Sequence, residues 1–305
     1  MKKNLFALIN ILTLMFSIFT IDAAAQELEP RSLAAAPVKL NILLIAYAYS
    51  NGNVLLDSSL PIEDAEARLN TFNLAYATTL NLFGRLAKLD VAIPFSHGNW
   101  EGILEGQPAS AKRTGFGDPA VRLGINLIGT PALYGREFLT FREKFVLGAS
   151  LQMRMPLGQY YGDKLVNLGT NRWVFRPTLG AAMRLNRWIF EASLSAWFFT
   201  RNGDFFGGTI LTQEPMYAIQ THLAYSFRRG FWLAASFGKS RGGKTIVSGV
   251  KRSDSQNNIR LGLTLAIPLS GGHGIAISYT SGLVTRYGAD FDIFVCAYQY
   301  RWGGR

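Results

Sequence analysis

Apolar and polar residues alternate with a period of two along most of the chain beyond residue 25. Between Ile259 and Ile267, Ile259, Leu261, Leu263, Leu265 and Ile267 share one phase, and Arg260, Gly262, Thr264 and Ala266 share the other. Successive strand side chains point to opposite faces, so this pattern predicts a strand with one apolar face. Tyr217–Phe227 repeats the pattern, with Tyr217, Ile219, Leu223, Tyr225 and Phe227 set against Ala218, Gln220, His222, Ala224 and Ser226. In 145–157, Leu147, Leu151, Met153 and Met155 face outward, with Ser150, Gln152 and Arg154 inward. About twelve such segments are expected, near 40–50, 69–82, 85–96, 117–129, 144–157, 171–186, 187–200, 215–228, 231–241, 257–269, 274–285 and 291–302. A soluble sandwich also alternates. Here, however, the segments reach the ~9–11 residues of a tilted membrane strand, and Gly, Ser, Thr and Ala dominate the second face. No apolar run after residue 25 reaches the ~18 residues of a spanning helix. A closed sheet is the other backbone arrangement that crosses hydrocarbon with its polar groups paired. The fold class is therefore all-β, a transmembrane antiparallel up-and-down barrel of about twelve strands, with ten or fourteen also compatible.

Connection lengths support this. Long connections fall at 51–68, 97–116, 158–170, 201–214 and 242–256; short ones at Phe83-Gly84, Asn186-Arg187, Arg228-Arg229-Gly230 and 270–273. Bacterial barrels have short periplasmic turns and longer outer loops, so an even strand count with both ends periplasmic fits. Segment 130–143 is long for a periplasmic turn. Trp173, Trp188, Phe198, Phe199, Tyr217, Phe227, Phe231, Trp232, Tyr300 and Trp302 lie at predicted strand ends, as expected of interfacial girdles. Tyr298, Tyr300 and Trp302 resemble the C-terminal signal read by barrel assembly machinery, except that Gly303-Gly304-Arg305 follows.

The N-terminus predicts export. Lys2 and Lys3 precede an apolar stretch from Leu5 to Ile21, and Ala23-Ala24-Ala25 offers a small-residue cleavage site before Gln26. Residues 1–25 are thus expected to be a cleavable signal peptide and 26–305 the barrel, placed in a bacterial outer membrane.

Composition adds little beyond a sign. The chain is 49% apolar and 17% charged, with a formal charge of +11. Without a basic helix or an aromatic RNA motif, anionic lipid headgroups or a basic lumen explain the excess better than nucleic acid does. Cys296 has no second cysteine to pair with.

Two stretches carry a family resemblance. One is Gly115-Phe116-Gly117-Asp118-Pro119 with the strand Val121-Arg122-Leu123-Gly124-Ile125. The other is Pro156-Leu157-Gly158-Gln159-Tyr160, continuing through Asn167-Leu168-Gly169-Thr170-Asn171-Arg172-Trp173-Val174-Phe175-Arg176-Pro177. Together they resemble the outer-membrane barrel family called "putative MetA-pathway of phenol degradation". The resemblance implies a barrel that passes hydrophobic or aromatic compounds. Read on their own, Gly115 to Pro119 form a turn entering a strand, and Gly158 to Gly169 an outer loop over the mouth.

Alternation places Arg122, Arg154, Arg172, Arg176, Arg184, Glu191, His222 and Arg260 on the inner face. Arg or Lys facing lipid near the midplane would cost roughly 2–4 kcal/mol. The cluster reads either as a salt-bridged ladder rigidifying the lumen or as an anion-attracting constriction. Twelve strands lie between the eight that side chains fill and the sixteen that leave a channel, so the pore is expected to be narrow and partly blocked. The leading function is a transporter or narrow diffusion channel for small hydrophobic or aromatic compounds, anions included. The alternatives are a structural or adhesive barrel, in which the acidic first loop (Asp57, Glu63, Asp64, Glu66) binds cations among lipopolysaccharide phosphates, and an outer-membrane hydrolase. The hydrolase is disfavoured because His97, His222 and His273 sit in no His-x-Ser pair. No cofactor or metal is expected. The expected partners are outer-membrane lipid, lipopolysaccharide, the assembly machinery and a small solute.

Overall fold

The computed structural model describes residues 28–55, 62–104 and 106–304. Twelve wall positions close into one antiparallel barrel. They are β1 (Leu40–Leu55), β2 (Ile62–Leu82), β3 (Arg85–Leu104), β4 (Gln107–Phe116) with β5 (Ala120–Ile128), β6 (Phe145–Arg154), β7 (Val174–Leu185), β8 (Trp188–Phe199), β11 (Met216–Arg228), β12 (Phe231–Gly242), β15 (Gln256–Pro268), β16 (His273–Val284) and β17 (Gly288–Gly303). Pairing of β1 with β17 and of β2 with β3 completes the circuit. Four short strands, β9 (Asn202–Phe205), β10 (Thr209–Gln213), β13 (Thr245–Val247) and β14 (Val250–Lys251), form a second sheet from two long loops.

β4 and β5 share one wall position. β3 pairs through Phe95–Leu104 with β4 and through Ala87–Ala92 with β5. Pro119 has no N–H for a ladder, so Gly117-Asp118-Pro119 interrupts the strand there. The expected loops 51–68 and 97–116 are largely strand: β1, β2, β3 and β4 continue beyond the apolar band as two hairpins.

The outward phase is apolar. Leu74, Leu194 and Leu263 are each about half exposed (51%, 59% and 55%) and belong to a band around the whole wall. So broad an apolar surface marks contact with lipid. Trp173, Trp188, Phe198, Tyr217, Phe227, Tyr300 and Trp302 are exposed at strand ends. Two of the expected girdle aromatics point the other way. Trp232 is buried in the interior, and Phe199 is half-buried beneath the Arg172 guanidinium, because each lies in the inward phase of its strand.

The short turns gather at one end with both termini of the barrel. Phe83 and Gly84 both have positive φ (54° and 76°), the geometry of a tight hairpin turn whose twist matches its strands. The long segment at this end, 129–144, carries helix α1 (Gly135–Thr140) and lies across the opening: Ala132 N–H donates to Gly84, Leu86 N–H to Thr130, and Arg229 to Leu139. Its length reflects that cover.

Candidate functional site: a strapped lumen beneath an apolar vestibule

Residues 28–38 enter the barrel from the short-turn end and occupy the lumen. Val38 N–H donates to Leu133 and Lys39 N–H to Thr79, fixing the point of entry. Ala34, Ala35 and Ala36 are fully buried behind it. Farther in, Leu33 lies against Gly148 and Gly180, and Leu28 against Gly238 and Gly262. A Cβ on Gly148 would come within 2.6 Å of Leu33, and one on Gly238 within 2.8 Å of Leu28. The inward glycines thus leave the space that the strap's leucines fill.

Charge pairing locks the strap. One oxygen of Glu29 accepts from Arg122 and the other from Arg176. Arg122 Nε also donates to Asp90 at 2.8 Å. Arg31 donates its backbone N–H to Glu191, and its guanidinium pairs with Glu191 at 3.6 Å and Glu143 at 3.4 Å. Lys88 Nζ donates to the carbonyls of Ser32 (2.7 Å) and Ala34 (2.8 Å). Glu143, in the covering segment, also accepts from Arg184 at 2.8 Å. Burial raises its carboxyl pKa, but Arg31 and Arg184 outweigh that and hold it below the ordinary glutamate range.

The structure places the remaining candidates as follows. Arg260 is buried and donates to Ala289 O at 3.1 Å. Arg154 is half-buried at the long-loop end of β6. Arg172 lies in the long-loop layer, where it donates to Gln213 at 2.5 Å and stacks over Phe199. Burial lowers its pKa to about 10, with Asp118 opposing, so it stays charged at neutral pH. His222 Nδ1 is 2.8 Å from Ser236 Oγ, and Glu191 lies in register beside it. These three types suggest a hydrolytic triad, yet the Glu191 carboxylate is taken by Arg31. Ala25, Gln26, the signal segment and Asp57 lie outside the described residues.

Above the strap, the long-loop end opens into a cavity of about 940 Å³. Trp100, Leu168, Phe205, Leu211, Val247 and Phe291 give it apolar walls. Two of its polar groups are engaged, Arg113 Nε donating to Val166 O at 2.9 Å and Asp254 accepting from Thr245 N–H at 2.8 Å, and the carboxylate residue Glu101 also borders it. Loop 158–170 forms one wall, and Asp118 pins both of its ends. Gly158 N–H donates to Asp118 at 2.9 Å; Thr170 donates its N–H at 2.8 Å and its hydroxyl at 2.7 Å. The two resemblance stretches therefore meet at one buried carboxylate.

The strap was not legible in the sequence. Glu29, Arg31 and Leu33 sit outside any periodic segment, and the signal that pointed to them was indirect: an inner face with more cations than carboxylates needs anions from elsewhere.

A closed, lipid-facing antiparallel barrel with a constricted lumen is the fold of outer-membrane channels. Residues 48–286 match the model of the family described as "Putative MetA-pathway of phenol degradation", and the chain belongs to that family. No curated protein matches the chain. Among solved structures, it is similar to the COG4313 outer membrane channel from Pseudomonas putida F1, with a TM-score of 0.75 and 19% identity over 90% of this chain and 100% of that one. The beta domain of the Bordetella autotransporter BrkA follows at a TM-score of 0.51 and 10% identity, covering 85% and 98%. At these identities the likeness is one of fold.

Proposed function

We propose that this protein is a narrow outer-membrane channel that admits small hydrophobic or aromatic compounds, capturing them in the apolar vestibule above a strap that closes the lumen. The observation that carries this reading is the 940 Å³ cavity, apolar-walled and on the side away from the strap. Cavities of this size suit small-molecule ligands, and the apolar walls make ring contact the main source of affinity. Export by residues 1–25 and the short-turn end facing the periplasm complete the reading. Family membership and channel-like fold support it.

In intact cells, removing the gene should slow uptake across a panel of phenols, aromatic acids and fatty acids. Restoring it with Leu168→Arg should recover little of the aromatic uptake, because a charge in the cavity opposes ring binding. An unchanged profile across the panel, in the deletion strain, would count against transport and favour a structural role.

A further inference from the structure

We propose that Arg122 and Arg176 form a carboxylate-binding site in the mid-lumen, occupied in this state by the strap's own Glu29, and that a small aromatic carboxylate arriving from the vestibule displaces Glu29 and frees the strap. This rests on the channel reading above and adds to it a ligand class and a trigger.

The site has the parts that a carboxylate needs. Two guanidiniums each take one oxygen of Glu29, an arrangement matched in charge and hydrogen bonding to any carboxylate. Asp90 fixes Arg122 from the other side, so its orientation does not depend on Glu29. A cavity of about 60 Å³ adjoins Glu29, bordered by Lys88 and by the hydroxyl residues Ser150, Thr178, Ser193 and Ser195. With Glu29 withdrawn, the guanidinium N–H groups that now hold its two oxygens would face this space, poised for another carboxylate.

The aromatic preference follows from what roofs the site. The Arg176 guanidinium lies 5.5 Å from the centre of the Trp197 ring. Trp197 packs with Val174 and Met216 in one buried apolar cluster. A ring held against Trp197 would bring its carboxylate to Arg176 and, through it, to Arg122.

Strap exposure tests the exchange without relying on flux. Cys296 is exposed on the lipid-facing phase, so Cys296→Ser provides a background in which Ser32→Cys, half-buried on the strap, is the one thiol. Its rate of reaction with a water-soluble thiol reagent is measured in reconstituted protein, with benzoate and with the neutral benzyl alcohol. Benzoate should raise the rate roughly tenfold and benzyl alcohol should not. Glu29→Gln should react rapidly without benzoate and respond to it weakly. If that variant does not assemble, Glu29→Asp, one methylene shorter, should show the same order. No response to benzoate, or an equal response to benzyl alcohol, would overturn the carboxylate site. Current recorded on the same samples separates the two readings: benzoate-driven exposure with no current contradicts the channel and leaves the site standing.

Discussion

Glu143 shows how single residues hold the lumen shut. It joins Arg31 of the strap to Arg184 of the wall and to the segment covering the short-turn end. Because its folded pKa lies below the ordinary glutamate value of 4.5, its contribution is fully present above that range and is lost as pH falls through the lowered value. Strap exposure should therefore rise on acidification below about pH 4.5. Glu143→Gln should expose the strap more at neutral pH and weaken that acid response, as read by labelling at Ser32→Cys. An identical acid response in the variant would remove Glu143 from the lock. Period-two alternation was enough to direct Arg122, Arg176, Arg184 and Glu191 inward, since an opposite phase would put charge in lipid. It could not name Glu29 as their partner, because a segment without strand periodicity carries no phase to read.

Among the elements, the break between β4 and β5 does the most to shape the vestibule. Pro119 ends the ladder, Asp118 is left facing the loop, and three hydrogen bonds tie 158–170 to the wall. Asp118→Ala removes a charged acceptor and leaves half-buried donors unpaired, a loss of about 2 kcal/mol felt mainly by this loop. Trypsin should then cut after Lys164, whose side chain is 51% exposed, faster than in the parent protein. Equal cleavage rates would show that the loop is held by something else. The twelve wall segments were legible because lipid demands one unbroken apolar phase. The hairpin extensions were not. Above the lipid both faces are wet, and outward Glu66 and Arg68 on β2 read as loop although they pair in register with β3. Segment 130–143 is too long for a simple turn because its role, covering a filled opening, depends on contacts distant in sequence.

The molecule as a whole has three parts: a lipid-facing wall, a strap pinned by ion pairs toward the short-turn end of the lumen, and an apolar vestibule at the long-loop end. The wall was evident from the sequence, and so was a crowded interior. The identity of what crowds it was not. An arginine ladder closing on itself would make the barrel permanently shut, whereas a strap is a separable part that can leave. Planar-bilayer recordings of the full protein against a variant lacking residues 28–36 distinguish these most directly. The full-length protein should be quiet, and the strapless variant should carry sustained ion current. Indistinguishable currents from the two would contradict a separable strap.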